Sequence, residues 1–408
     1  MALPNVYAVS ENSVPRWRGR GGGLNMIRCL QTLSLNEDGE MNDKKKSTHL
    51  PITDILSRAE NFTRHDIIAL LSAQQNDRSL LFEHSARIKQ QCVGNRVYFR
   101  GLIEFSNRCS KDCLYCGIRR DNHFINRYTL TDEEVISAAC YAAENKYGSL
   151  VLQSGELETI SFTKRVEKIL KDIHKATQNK LRITLSCGEQ EKDVYRRWHD
   201  AGAHRYLLRI ESSNKELYEK LHPNDDSHSY KRRLKCLHDL QKTGYQVGTG
   251  VMIGLPFQTL GNLADDLLFM KRSDIDMIGM GPYLEHEDTP FYALRHTLLP
   301  KEERFDLALK MIAILRIMMK DVNIAATTAL QSIDPMGREK ALKIGANVIM
   351  PNITPGKYRD DYLLYQNKPC TSENADDCLS CLEARIAMSG NEIAYAEWGD
   401  SKHYLKKV

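Results

Sequence analysis

Phe105-Ser106-Asn107-Arg108-Cys109-Ser110-Lys111-Asp112-Cys113-Leu114-Tyr115-Cys116 is the stretch from which the rest of the chain is read. Its three cysteines, spaced C-x3-C-x2-C, follow an apolar run, Val97 to Phe105, with the composition of a buried strand. Thiolates so spaced can hold three irons of a 4Fe–4S cube, because soft sulfur selects iron–sulfur or zinc centres. The fourth iron of such a cube is left open and can chelate a small molecule. A zinc site with a distant fourth ligand is the alternative, although zinc more often uses paired C-x2-C or histidine ligands. Cys109, Cys113 and Cys116 are therefore the candidate metal ligands and catalytic centre.

Outward from this loop, short apolar strands alternate with amphipathic helices. Strands are expected at Val97–Phe105, Ser149–Gln153, Arg182–Ser186, Tyr206–Ile210, Gln246–Met252, Met277–Gly279, Ile324–Thr327 and Val348–Met350, with a helix fitting between each pair. Eight such units predict an α/β fold of the TIM-type (β/α)8 barrel class; an open doubly wound sheet would not need eight. In a barrel the active site lies at the C-terminal strand ends, where the cysteine loop falls. The expected divisions are a tail over 1–48, an N-terminal helical cap over 49–95 with Thr53 and Thr63 as N-caps, the barrel over 96–355, and an irregular C-terminal extension over 356–408.

The tail is basic, with Arg16, Arg18, Arg20 and Arg28 around Gly21-Gly22-Gly23 and Glu11 as the only acid before Glu37. It reads either as an organellar presequence or as an over-extended start, since Met26 and Met41 could each begin a shorter chain. The first reading places the protein in the matrix of a hydrogen-producing organelle, the second in the cytoplasm. A net charge of +4, from 57 basic and 53 acidic residues, leaves no nucleic-acid footprint. The longest apolar region, Leu307 to Met319, contains Lys310 and Arg316, which argues against a membrane span. Eleven cysteines in clustered spacings favour a reducing interior and metal ligation over disulfides. Cys370, Cys378 and Cys381, spaced C-x7-C-x2-C, are candidate ligands of a second cluster.

Charge placed on strand faces is the next signal. Arg205, Leu207, Arg209 and Glu211 alternate, so all four point to one face, and Arg100 and Glu104 do the same on the first strand. Charges on a barrel's inner face are costly unless they meet a ligand or each other. The functional reading is an anion-binding cavity; the plain one is an ion-paired lining. Thr184 and Ser186 add hydroxyls on the third strand, and Gln153-Ser154-Gly155-Glu156 closes the second. Thr327, Thr328, Met350, Tyr362 and Tyr365 are placed to close the cavity.

The cysteine loop, with aromatic Tyr115 before its third cysteine, resembles that of the radical S-adenosylmethionine (SAM) superfamily, where the open iron binds SAM. Further stretches narrow the resemblance: Arg100-Gly-Leu-Ile-Glu-Phe-Ser-Asn, Cys116-Gly-Ile-Arg-Arg-Asp-Asn, Val151-Leu-Gln-Ser-Gly-Glu, Arg205-Tyr-Leu-Leu-Arg-Ile-Glu, Gly254-Leu-Pro, Ala326-Thr-Thr-Ala and Ala346-Asn-Val-Ile-Met-Pro-Asn. Together they are similar to the HydE family of FeFe-hydrogenase maturases. That resemblance implies reductive cleavage of SAM to a 5′-deoxyadenosyl radical during assembly of the azadithiolate-bridged diiron part of the H-cluster. It implies SAM contacts from Tyr115, Gln153, Ser154, Glu156, Thr184, Ser186, Arg209, Glu211 and Arg233. It implies a substrate pocket of Arg100, Arg205, Thr327, Thr328, Met350, Tyr362 and Tyr365 for a small molecule or an iron–cysteine synthon. Ferredoxin or flavodoxin as electron donor and the other hydrogenase maturases are the implied partners. Phe257, after Gly254-Leu-Pro, and Glu285-His286-Glu287 depart from the family pattern and are expected to lie away from the core site. A methylornithine synthase, a biotin synthase relative and a non-catalytic iron–sulfur scaffold are the rival readings.

Overall fold

The computed structural model describes residues 50–370 and 375–408, apart from the side chains of 60 and 375–378. The basic tail over 1–48 lies outside the described residues. Eight strands alternate with helices: β1 (Arg96–Ser106), β2 (Ser149–Ser154), β3 (Arg182–Ser186), β4 (Ala203–Leu207), β5 (Gln246–Ile253), β6 (Met277–Pro282), β7 (Asn323–Ala326) and β8 (Val348–Ile349). Neighbours in sequence pair in parallel, and β1 pairs with both β8 and β2, so the sheet closes into the expected barrel.

Three helices, α1 (Ile52–Ser57), α2 (Arg64–Ser72) and α3 (Gln75–Cys92), precede the barrel. The outer ring comprises α4 (Asp132–Glu144), α5 (Ile160–Ala176), α6 (Lys192–Asp200), α7 (Lys215–Leu221), α8 (Tyr230–Thr243), α9 (Leu260–Arg272), α10 (Lys301–Met318), α11 (Thr328–Ile333) and α12 (Gly337–Ile344). Thr63 caps α2 in a capping box with Asp66, as expected, whereas Thr53 lies inside α1, whose N-cap is Pro51. The apolar α10 is buried along most of its length between barrel and α3. Its two cations are satisfied locally: Lys310 pairs with Asp306 at 2.7 Å, and Arg316 donates to the carbonyls of Gly345, Lys320 and Val322 at 2.9 Å each. Among the described residues no helix is long and apolar enough to cross a membrane.

The fourth strand begins and ends three residues earlier than the Tyr206–Ile210 expected. Beyond Leu207 the chain still runs beside β5, but the Ile210 amide is captured by the Thr249 hydroxyl at 3.2 Å and Glu211 turns to a φ of 60°. Side-chain capture ends the regular ladder there.

Past β8 the chain forms α13 (Ala375–Met388), β9 (Glu392–Ile393) and α14 (Lys402–Leu405), so the extension is more regular than expected. β9 pairs with the first residues of β1. From there, residues 398–401 run beneath the barrel. The Trp398 carbonyl accepts from Ser149 Oγ and Arg205, and the Gly399 carbonyl accepts from Arg100 and Asn323. Asp400 takes Arg205 at 2.6 Å, and the Ser401 amide donates to Gln246 at 3.1 Å. The N-terminal ends of five strands are thereby sealed by one segment.

Arg205 is wholly buried, so removing its carboxylate partner strands a charge. Asp400→Ala is expected to cost ~3 kcal/mol of stability, the low end for a broken buried pair because Asp400 is partly exposed. Urea denaturation measures it; a loss below ~1 kcal/mol would show that the peptide carbonyl and Ser149 suffice for Arg205.

Candidate active site

The cysteine loop leaves β1 at Ser106 and crosses the C-terminal mouth of the barrel. Asn107 starts it: its side chain donates to the carbonyls of Asn126 and Asp361 at 2.7 Å each, while its Oδ1 accepts the Tyr128 amide at 2.8 Å. Cys109, Cys113 and Cys116 are free thiols, each part-exposed. Burial raises all three thiols, Cys116 up to about 12, and repulsion from neighbouring ligand thiolates adds to it at Cys113 and Cys116. Such a set stays protonated on its own and ionises against bound metal charge. The Glu156 amide donates to Cys109 Sγ at 3.3 Å, the kind of bond that steadies a cluster thiolate. Gly155 lets the backbone come this close, since a Cβ there would lie 2.3 Å from Arg108 O and 2.8 Å from Cys109 Cβ. The residues present fit a three-thiolate cluster. Among the described residues no three such side chains converge on a single metal ion, and the thiolates of a cube bind different irons.

A buried quartet of charge ties the loop to the barrel. Lys111 Nζ lies 2.9 Å from Glu156 and 3.0 Å from Glu189, and it also donates to the Ser227 carbonyl. Arg233, on α8, donates to Glu189 at 2.6 Å, to the Arg209 carbonyl at 2.9 Å and to Glu156 at 3.5 Å. Burial alone would raise the Glu189 carboxyl, but Arg233 and Lys111 outweigh it and hold the group below its ordinary value. Expected residues Glu156 and Arg233 thus meet here; Lys111 and Glu189, unrecognised in the sequence, complete the set.

Arg209 faces Glu211 in a two-point pair, at 2.7 and 2.8 Å, and donates a third bond to Gly279 O at 2.6 Å. Gly250 and Gly279 leave the room; a Cβ on Gly250 would lie 2.8 Å from the guanidinium. Gln153 and Ser186 are register partners at the ends of β2 and β3, and Gln153 donates to the buried Tyr362 hydroxyl at 3.2 Å. Ser154 is buried and bonds to the Gly155 carbonyl at 2.7 Å. Thr328 and Tyr365 share a 2.9 Å hydroxyl bond, and Thr327 donates to the Met280 carbonyl at 3.2 Å.

Below them lies an internal cavity lined by Arg100, Thr184, Leu207, Met277, Asn323 and Met350, among others. Arg100 reaches it while donating to Gly399 O at 3.1 Å. Arg205 does not line it; its guanidinium is turned to Asp400, Ser149 and Trp398 in the floor. The extension also reaches β1: Lys368 takes Glu104 at 2.5 Å, and Asn352, just past β8, donates to the same carboxylate at 3.0 Å.

Histidines also support the loop. Tyr115 OH lies 3.2 Å from His222 Nε2, and His222 Nδ1 lies 2.7 Å from the Tyr218 carbonyl. A carbonyl only accepts, so Nδ1 carries the proton and Nε2 accepts from Tyr115. His286 is a correction to the expectation that the 285–287 turn lies apart: its ring sits where a Cβ on Gly117 would be 2.5 Å away, directly after Cys116. Phe257 holds a φ of 68°, a conformation suited to glycine, and is 57% exposed. Of the second array, Cys370 lies on the loop before α13, Cys378 and Cys381 are three residues apart within that helix, and Cys381 is exposed. The side chain of Cys378 lies outside the described residues.

Three thiols on one loop at the mouth of a closed parallel barrel, above a charged lumen, define a radical SAM enzyme. A family model described as the radical SAM superfamily matches residues 103–270, and that family implies a 4Fe–4S cluster and SAM. The chain is 43% identical over 360 residues to the [FeFe] hydrogenase maturase subunit HydE of Thermotoga maritima, covering 88% of this chain and 99% of that one. It belongs to the HydE family. It is also 28% identical to a 3-methylornithine synthase of Methanosarcina acetivorans, over 70% of this chain and 77% of that one. Among solved structures, a methylornithine synthase superposes with a TM-score of 0.71 at 23% identity, covering 85% of this chain and 98% of that one. The HydG maturase of Carboxydothermus hydrogenoformans also gives 0.71, at 19% identity, over 84% and 79%. Both share the fold.

Burial pushes His222 down to about 3, so the folded protein keeps it neutral while the unfolded chain protonates it below its ordinary value of 6.5. Its contribution is therefore complete above pH 6.5 and falls away as pH drops from 6.5 towards 3. In His222→Phe, stability should decline less steeply over that window than in the parent. Chemical denaturation at several pH values tests this, and identical slopes would refute it.

Proposed function

We propose that this chain uses radical SAM chemistry in FeFe-hydrogenase maturation, acting on an iron-bound or small organic precursor of the diiron centre. The observation that carries the reading is the cysteine loop held over the mouth of a charged lumen. When bound, the cluster and SAM supply a 5′-deoxyadenosyl radical by one-electron cleavage of the sulfonium. The chain's own residues do the placing. Cys109, Cys113 and Cys116 hold three irons; Gln153, Ser154, Ser186, Arg209 and Glu211 surround the SAM position, and Tyr115 flanks it. Glu156 and Arg233 act through the buried quartet, fixing the loop from below. Arg100, Thr184 and Met350 face the inner cavity and are assigned to the second ligand, with Thr327, Thr328, Tyr362 and Tyr365 assigned to the layer above it. Arg205 is assigned to the floor, where it holds Asp400 in place. The closed floor and the extension keep water from the lumen.

A ferredoxin or flavodoxin as reductant, the other maturases as partners and the cytoplasm as the place of work complete the proposal. Cys370, Cys378 and Cys381 are proposed to bind an auxiliary cluster outside the lumen. Their triple Ala variant should lose iron and keep SAM cleavage; unchanged iron content would remove that cluster.

Anaerobically reconstituted protein with reductant should release 5′-deoxyadenosine, and Cys113→Ala should abolish both this and the reduced-cluster EPR signal. Arg209→Gln should weaken SAM binding by ~1.5–3 kcal/mol, the range for a lost charge-assisted hydrogen bond. Co-expression with a hydrogenase and its other maturases tests the pathway: without this chain the hydrogenase should stay inactive. SAM cleavage with no effect on hydrogenase activity would separate the chemistry from the assigned role.

A further inference from the structure

Five peptide carbonyls converge on one guanidinium beside the cysteine loop. Arg127 Nη1 donates to Asn107 O at 2.8 Å and Ile118 O at 2.9 Å. Its Nη2 donates to Asn122 O at 3.0 Å, to Arg120 O at 3.2 Å and to Arg119 O. Asn107 stands just before Cys109 and Ile118 just after Cys116, so a single side chain bridges both ends of the ligand loop.

The charge on this clamp has no carboxylate to meet. All five acceptors are neutral, and among the described residues no acid forms an ion pair with Arg127. The acids of its own loop are engaged elsewhere, Asp112 with Arg119 at 2.6 Å and Asp121 with Arg120 at 2.7 Å. A half-buried cation held only by dipoles is costly unless an anion lies close. The groups beside it that become anionic are the ligand thiols: Arg127 grips Asn107 and Ile118, each two residues from a ligand cysteine, Cys109 and Cys116.

We propose that Arg127 is the positioning residue of the cluster, clamping the two ends of its loop and supplying the positive charge that offsets the electron gained on reduction. The inference rests on the cluster reading above. Reduction adds one electron from the external one-electron donor and no proton, leaving the thiolate-bound cluster one unit more negative. A fixed cation favours that state over the oxidised one. Removing the cation therefore lowers the reduction potential, and keeping it in another shape does not. A purely mechanical clamp would alter cluster retention and leave the potential alone.

The experiment is an EPR-monitored redox titration of the full chain, reconstituted anaerobically with iron and sulfide and free of SAM. Parent, Arg127→Gln and Arg127→Lys are compared, with iron content and melting followed alongside. In Arg127→Gln the reduced-to-oxidised ratio at a fixed potential should fall at least tenfold, a one-electron shift of 59 mV to lower potential. In Arg127→Lys it should change less than twofold, while a chelator strips iron faster because the fork is gone. An iron-replete Arg127→Gln protein with less than a twofold change overturns the proposal. If the Gln variant holds no iron, the Lys variant decides: a kept potential with faster iron loss supports the proposal, and a tenfold fall despite the retained charge overturns it. A parent protein with no 4Fe–4S signal would overturn the cluster reading and this inference with it, whereas a normal parent signal unmoved by Arg127→Gln overturns this inference alone.

Discussion

Charge inside a closed barrel must be met by something, and meeting it organises this molecule. β1 and β4 carry Arg100, Glu104 and Arg205 on inward positions, with Arg209 just beyond, where water cannot reach all of them. Left alone, each would cost several kcal/mol. Arg209 finds Glu211 two residues on, but the other three take partners from beyond β8: Arg205 takes Asp400, Arg100 takes the Gly399 carbonyl, and Glu104 takes Lys368 and Asn352. The C-terminal extension is thus part of the barrel's electrostatics. Its last residues form the floor and its first ones wall the upper lumen.

The mouth solves the same problem with neighbours in space from three different loops. Lys111 sits inside the C-x3-C spacing, so pinning its ammonium between Glu156 and Glu189 pins the backbone that carries two of the ligands. Those carboxylates come from the ends of β2 and β3, and Arg233 reaches both from α8. The loop is further held by Asn107 at its start and by Gly117, wedged under His286 and the Leu363 carbonyl, at its end. Ligand geometry is set by the polypeptide, which lowers the ordering cost when metal binds.

Local repetition was legible in the sequence: the alternation of strand and helix, the cysteine spacing, and the inward alternation of Arg205, Leu207 and Arg209. Glu156 and Arg233 were legible only as separate site residues, through the family resemblance, and their meeting at the mouth was not. What stayed hidden has a common physical form. Asp400 is 195 residues from Arg205, and nothing local marks an acid in a basic tail as the partner of a strand arginine. Arg127 binds only peptide carbonyls, and carbonyls have no signature in a sequence. The early end of β4 depends on one hydroxyl, Thr249, taking an amide from the ladder. His286, expected to lie apart from the core site, stands 170 positions from Cys116, a distance the barrel cancels by closing.

A contrast between floor and lumen follows from how these charges are satisfied. In the floor the terminal nitrogens of Arg205 find Ser149, the Trp398 carbonyl and Asp400, leaving its Nε unmet, and the segment over 398–401 lies against them. In the cavity above it, Thr184 Oγ1 and Arg100 Nε are buried without a protein partner. Polar atoms in that condition cost about 1–3 kcal/mol each when nothing meets them. Gly279 and Ala325 line the same cavity, and neither carries a polar group that could meet Thr184 or Arg100. The unmet hydroxyl and the small wall residues belong together: the lower lumen is a narrow, mostly apolar space into which a few unmet polar atoms face.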